Sequence, residues 1–533
     1  MTLFGELSYL SLASITLTVF LAYVIGCIVY RLYLSPIAAF PGPPLAAVTW
    51  YYEFYYDAIC GGRYIFKIKD MHKRYGPIVR INPEELHIET STFYDELYAP
   101  GGKKRRNLNP QFEHQFGAPN STFATVDHDL HRMRRSALSP FFSKASVRRL
   151  QPVIWEKVDK LLRRLDEFKN TGQPVRMDIA YAAFTNDVIM EYSFNHSRDR
   201  LQKPDFGEPA QEAVLAMSKV VHWMKHYHWL IYLAQLIPPW IVSWISPTVA
   251  NVLEDEQSFT RENVAQVHQI MNDKDRLGVG KQSKTIFHDL LANPDLPVSE
   301  KSVEQLGQEA KILVAGGTET TSWTLSVITY YLLSQPHTLS RLRAELIASI
   351  PDPTASVGIE VLEHLPYLTA VIQEGLRLSY GSVGRLARVS PDEAVTFHDE
   401  KRAKDWIIPP GTPMSMNSVF VHHDPTIFPE PSKFSPERWI EAEKEGKRLN
   451  RYLVSFTKGS RSCVGINLAY AELYICVSRI FRLYSCTEDE MSGKGGWLEL
   501  FETSNEDVEF ATDMFIPATR QGSKGVRMLV KGI

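Results

Sequence analysis

The sequence predicts a mainly α protein with small β-sheets, preceded by one N-terminal transmembrane helix. Three observations carry that expectation. Residues 7–30 are 24 residues without a charge, and an α-helix needs about 20 apolar residues to cross the hydrocarbon of a bilayer. Residues 302–335 read as one long helix, because Ser302 and Gln305 have capping-box spacing and Pro336 stops the pattern. Gly76-Pro77, then Ile78, Val79 and Ile81, then Asn82-Pro83, Leu86 and Ile88, read as two short strands about a turn. Lys plus Arg total 58 and Asp plus Glu 61, a net charge of -3. That balance gives no global attraction to nucleic acid.

Taken in order, residues 1–31 are expected to form a luminal tip and a membrane anchor. Glu6 rather than a basic stretch precedes the apolar run, which argues against a cleaved signal peptide. Arg31 follows it, so the positive-inside rule puts the remaining chain on the cytosolic side, in a eukaryotic cell that of the endoplasmic reticulum. Pro36, Pro41, Pro43 and Pro44 around Gly42 predict a stiff, extended linker over 32–45. Residues 46–533 form the body. Residues 100–125 lack periodicity and read as a long loop of the kind that lids a pocket. A basic run follows, with His131, Arg132, Arg134, Arg135, Lys144, Arg148 and Arg149; most such runs are solvated faces. Trp223, Trp229, Trp240 and Trp244 lie between residues 220 and 247. They suit a helical core or a membrane interface equally.

The long helix contains Gly316-Gly317-Thr318-Glu319-Thr320-Thr321. Adjacent glycines inside a helix cost about 1 kcal/mol each relative to Ala, so their presence asks for a reason. Further on, Glu374 and Arg377 are three apart on a predicted helix and share a face. Residues 467–481 read as an apolar helix and 525–530 as a closing strand. Five cysteines is an odd number, with no framework spacing, and implies a reducing compartment.

The densest chemical signal lies at Phe456, Gly459, Arg461, Cys463 and Gly465. These identities at fixed spacing would arise by chance at on the order of 10⁻⁷ of start positions. They describe a tight loop presenting one sulfur with a cation and free amides beside it. A zinc site lacks the further Cys or His ligands it would need nearby. A buried structural cysteine would need none of the other four residues.

At these residues the chain resembles the haem-thiolate monooxygenases, the cytochrome P-450 family. The resemblance covers nearly all of the chain after the anchor and implies one large helical domain with the cytochrome P-450 fold. It implies haem b (iron protoporphyrin IX) as cofactor, with Cys463 as axial iron ligand and Phe456, Gly459 and Gly465 shaping the loop. It implies Arg461, Arg135 and Arg388 as propionate partners, with His131 standing where the family has a Trp. Thr320 and Glu319 match the family's dioxygen-activating hydroxyl and acid. Glu374, Arg377 and Arg438 match a structural triad. Substrate contacts are expected near Phe112 to Phe123, Leu313, Ala315, Val383 and Phe515.

The implied activity is oxidation of a lipophilic small molecule by dioxygen. Electrons would come from NADPH-cytochrome P-450 reductase, docking on the basic face with Lys458, and cytochrome b5 is a further candidate partner. Motif order is most similar to fungal secondary-metabolism members of the trichodiene-oxygenase type. Two rivals stand beside this reading: a haem-thiolate isomerase or dehydratase needing no external electrons, and a non-catalytic haem or lipid binder in the membrane. Such an isomerase tends to lack the acid and Thr pair, which Glu319 and Thr320 supply.

Overall fold

A computed structural model describes residues 9–101, 104–245, 247–276, 285–486 and 495–532. The first helix is Tyr9–Val29; Leu7 and Ser8 of the apolar run, with the luminal tip before them, lie outside the described residues. Among the described residues one helix is long and apolar enough to cross a membrane, over Ser11–Leu34, and none of it is buried by the rest of the chain.

The stretch expected as an extended linker behaves otherwise. Ile37 and Phe40 are buried against Ile78, Leu86 and Trp406, and Pro44–Val48 begins a short helix with Pro at its first position. Arg80 fixes the approach, its backbone N–H donating to Pro41 O at 2.7 Å and its Nη1 to Arg31 O at 2.7 Å. Proline stiffness is present, but apolar burial docks the segment on the body.

Among the described residues the strands form a five-stranded sheet, a four-stranded sheet and two hairpins. In the first sheet Ile78–Arg80 pairs antiparallel with Leu86–Ile88, which pairs parallel with Pro413–Ser415. Arg388–Val389 then joins Pro413–Ser415 to Asn107–Leu108. The closing strand is Arg527–Lys531, starting two residues and ending one residue beyond the expected bounds.

Helices build the remaining core. The long helix is Val303–Ser334, with the Ser302 hydroxyl accepting from Gln305 N at 3.2 Å. Only half of the capping box forms, because the Gln305 side chain turns instead to Asn120 O. Beside it lies Met177–Phe194, joined by polar rungs: Tyr181 to Thr329 at 2.7 Å, Thr185 to Thr318 O at 2.9 Å, and Asn186 to Thr318 Oγ1 at 3.1 Å. The helix stays helical through both glycines. A Cβ at Gly317 would sit 2.8 Å from Ile189 Cγ1, so that glycine serves close packing, whereas Gly316 faces open space.

Pro366–Ser379 and Ile466–Leu483 pack into the same core. Glu374 is fully buried and gathers four partners. Arg377 donates to it twice, at 2.9 and 2.8 Å, Arg438 Nε at 3.0 Å, Trp439 Nε1 at 2.9 Å and Ser435 N at 2.9 Å. Arg377 also donates to the carbonyls of His422, Pro431 and Lys433. The triad expected from sequence is thus assembled, and it ties the helix Pro366–Ser379 to the short helix Glu437–Lys444 and to the irregular chain just before it. Glu374→Gln would leave Arg377 buried without its counter-charge, a change that typically costs 3–5 kcal/mol (about 3–5) in a buried pair. Thermal unfolding should show a drop of that order, and an unchanged midpoint would refute the structural role.

Candidate haem-binding site

Residues 456–465 fold as the sequence suggests, around a 3₁₀ turn at Gly459–Arg461. Cys463 N donates to Phe456 O at 2.9 Å and Ser462 N to Gly459 O at 3.1 Å, closing the loop. Gly459 has φ +79, and a Cβ there would meet Tyr98 O at 1.8 Å, so no other residue fits. Phe456 packs on Tyr470, ring centroids 5.3 Å apart. The Cys463 side chain is exposed although protein surrounds it closely, and burial raises its thiol pKa against a Gly465 N–H bond and the charge of Arg135. The helix Ile466–Leu483 starts three residues on, so its N-terminal dipole points at the sulfur.

Around the sulfur the charges are unbalanced. Arg388 is buried, donating to Leu386 O and Ala387 O, with its guanidinium 5.4 Å from the Tyr98 ring centre. Arg135 donates to Ser139 Oγ. Arg461 donates to the carbonyls of Thr125 at 2.6 Å, Val126 at 2.8 Å and Asp127 at 3.2 Å, so much of its fork braces the preceding loop. None of the three has a carboxylate partner among the described residues. Burial, then the charge of Arg388, pushes Arg461 down to about 9. His131 is buried with Nδ1 unpartnered, and desolvation followed by the charges of Arg461, Arg135 and Arg388 holds it down to about 2. Arg388 is buried and Arg135 and Arg461 are half-buried, and withdrawing cations from water without counter-charges is costly. A dianionic group beside the sulfur, such as the two propionates of haem, would offset that cost.

On the long helix, Thr320 Oγ1 donates to Gly316 O at 3.0 Å, the common back-bond of a helical Thr. Its oxygen keeps acceptor capacity toward the open space beside Gly316. Glu319 is buried, its Oε2 accepting from Gln211 Nε2 at 2.7 Å and its Oε1 without a partner. Desolvation raises its pKa to about 7, opposed by the Gln211 bond and Arg200. The acid therefore faces the Glu208–Ser218 helix rather than its neighbour Thr320.

Sequence reasoning missed the clamp on the lid loop. Thr122 N donates to Glu309 Oε2 at 2.7 Å and Asn120 N to Gln308 Oε1 at 2.8 Å. Polar residues one to two turns before the glycines were the available signal. The four tryptophans are not core: Trp240 is 73 % and Trp244 86 % exposed, with Trp223 and Trp229 also exposed. Of the basic run, Arg134 pairs with Glu300, Lys144 with Glu363, Arg148 with Glu360, and Lys458 with Asp95.

A single sulfur on a tight loop beside arginines without a carboxylate partner is the donor set a haem-thiolate protein would need. Residues 41–495 match the family model described as cytochrome P-450. The chain is 45% identical over 502 residues to the cytochrome P-450 monooxygenase tpcC of Cochliobolus heterostrophus, covering 94% of each. It is 39% identical over 516 residues to the tryptophan 6-hydroxylase fscE of Fusarium equiseti, covering 96% of each. To the cytochrome P-450 monooxygenase TRI4 of Trichoderma arundinaceum it is 36% identical over 483 residues, covering 90% of this chain and 88% of that one. This chain belongs to the cytochrome P-450 family. It is an oxidoreductase that binds haem and uses dioxygen, an external electron source and a small-molecule substrate.

The Glu319 environment has a pH signature. Its folded pKa is raised from 4.5 to about 7, so the unfolded chain releases the proton first. The associated stability is complete below about 4.5 and falls as pH climbs to about 7, by about 3 kcal/mol in total. Glu319→Gln should remove this component, making the thermal midpoint less dependent on pH between 5 and 8 (about one carboxyl's share). Identical pH profiles for the two proteins would overturn it.

Proposed function

We propose that this chain is a membrane-anchored monooxygenase that hydroxylates or epoxidises a lipophilic, terpenoid-like molecule in fungal secondary metabolism. Cys463, exposed in a loop whose surrounding arginines lack counter-charges, is the observation that carries it. Haem, when bound, supplies dioxygen activation, which thiolate ligation favours. Cys463 would hold the haem iron through its sulfur, while Arg135, Arg388 and His131 would hold the propionates and Arg461 would share that role with its loop contacts. The name of one relative, a tryptophan 6-hydroxylase, supports hydroxylation of a small molecule with an aromatic ring.

Protein groups would manage the protons. Glu319, with a pKa near neutrality, can take a proton and give it up at physiological pH, as a general acid must. Gln211 and the Glu208–Ser218 helix lie on its outer side. Thr320, with Gly316 open beside it, would hold an ordered water by hydrogen bonding. Phe116, Phe123 and Phe515 pack edge to face, with centroids 4.6–5.9 Å apart, and would exclude bulk water from the substrate side.

Residues 1–31 would anchor the body on the cytosolic face of the endoplasmic reticulum, with 32–45 joining it to the domain 46–533. The exposed tryptophans would form a second bilayer contact, because indole is favoured at the interface. NADPH-cytochrome P-450 reductase is the proposed electron donor, with cytochrome b5 as a further candidate. The side chains of Lys144 and Arg148 remain largely exposed despite their ion pairs and suit an acidic partner.

The reading is tested on the reduced protein under carbon monoxide. The unaltered chain should give the haem-thiolate absorption, and Cys463→Ala should lose both it and turnover. Thr320→Ala should keep haem and fold while product per NADPH falls several-fold and hydrogen peroxide rises. A positioned proton relay is typically worth about 10²–10⁴ in rate. Wild-type coupling in Thr320→Ala would refute the role of the hydroxyl.

A further inference from the structure

Linked to the packed rings of Phe116, Phe123 and Phe515 is a cluster of charged side chains that the chemistry above does not use. Lys225 is buried on the helix Val221–Leu236. Its Nζ donates to Glu53 Oε1 at 2.6 Å and Asp57 Oδ2 at 2.7 Å, both fully buried. Arg385 donates to the same Glu53 oxygen at 2.6 Å and to Glu85 at 3.3 Å. Asn82 donates to the other Glu53 oxygen at 2.7 Å.

Two routes run from this cluster to Phe515. On one, Lys225 and Arg385 share Glu53, and Val383 and Gly384, just before Arg385, donate their N–H groups to Phe515 O at 2.9 and 3.3 Å. On the other, His222 lies 3.6 Å from Asp57 and 2.6 Å from Asp513 O, while the Asp513 carboxylate accepts from Phe515 N at 2.7 Å. Phe515 has φ +68, a conformation a bulky residue adopts only when its surroundings enforce it. It packs against Phe116 and Phe123, and a Cβ on Gly384 would lie 2.6 Å from its ring.

We propose that Lys225 is a positioning residue that, clamped between Glu53 and Asp57, seats Phe515 and residues 383–385 from behind and so sets the size of molecule admitted to the site. This rests on the haem-thiolate reading above. Stability alone does not account for the cluster, since well-packed apolar groups commonly replace buried ion pairs without loss. Ion pairs fix relative position, and this cluster joins five separate segments of chain. The helix carrying Lys225 leaves helical geometry at Tyr227 (φ -140, ψ 46), two residues on. Its pinned half thus ends where the half bearing the exposed Trp229 begins. Movement of the outer half need not break the clamp, and Phe515 stays seated while the outer surface adjusts.

The test uses the full chain loaded with haem and two ligands that bind haem iron through nitrogen: imidazole, which is small, and clotrimazole, which is bulky. Lys225→Met/Asp57→Asn removes one cation and one anion and leaves Glu53 bonded to Arg385. Thermal midpoint, carbon monoxide spectrum and imidazole binding should stay as in the unaltered protein, while clotrimazole association, followed by the absorbance shift, quickens by about tenfold. Asp57→Asn alone, which keeps Lys225 on Glu53, should give a smaller change, about threefold, and serves if the double variant fails to fold. Clotrimazole kinetics indistinguishable from the unaltered protein in a folded variant would overturn the inference. A missing thiolate absorption in the unaltered protein would instead overturn the reading of the site, and this inference with it.

Discussion

Much of this structure depends on one buried carboxylate. Glu374 has no solvent contact, so each of its lone pairs must be met from within, and Arg377, Arg438, Trp439 and Ser435 meet them. The consequence reaches the thiolate loop through short links. Ser455 Oγ donates to Leu376 O at 2.8 Å, and Val454 N to His422 Nε2 at 2.9 Å, while His422 O accepts from Arg377. Gly381 lies so close to Ser455 O that a Cβ would come within 2.2 Å. A segment without ladder hydrogen bonds thereby acquires a fixed position, and Cys463 with it.

The molecule treats charge in two opposite ways. Around Glu53, Asp57, Lys225 and Arg385, buried cations and anions are matched within hydrogen-bond distance. Around Cys463, Arg135 and Arg388 bond to a hydroxyl and to carbonyls and have no carboxylate partner among the described residues. Low dielectric makes either arrangement consequential. Matching fixes geometry, whereas the mismatch supports the proposed place of an anionic cofactor.

The groups proposed to handle protons and those that hold the loop sit on different faces of the same long helix. Glu319 turns outward to Gln211, while Gly316 leaves space beside Thr320 and Glu309 holds the lid loop at Thr122. Successive residues of a helix point about 100° apart, so adjacent Glu319 and Thr320 reach different surroundings. Met177–Phe194 holds that rotation through its bonds to Thr318.

The sequence by itself determined the features that rest on local chemistry. An uncharged 24-residue run has the length of a membrane crossing, Ser302 and Pro336 bound a helix, and Gly459 allows the turn that presents Cys463. The spacing of Glu374 and Arg377 likewise put both on one helical face. Tertiary structure alone decided what depends on distant partners. It turned the Gln305 side chain from its cap to Asn120, docked the proline segment through Ile37 and Phe40, and left the tryptophans at the surface. It also matched Lys225 with Glu53 and Asp57, more than 160 residues away in sequence. Helix periods and turn residues act over a few positions, but the free energy of a buried charge depends on which groups the whole fold brings beside it.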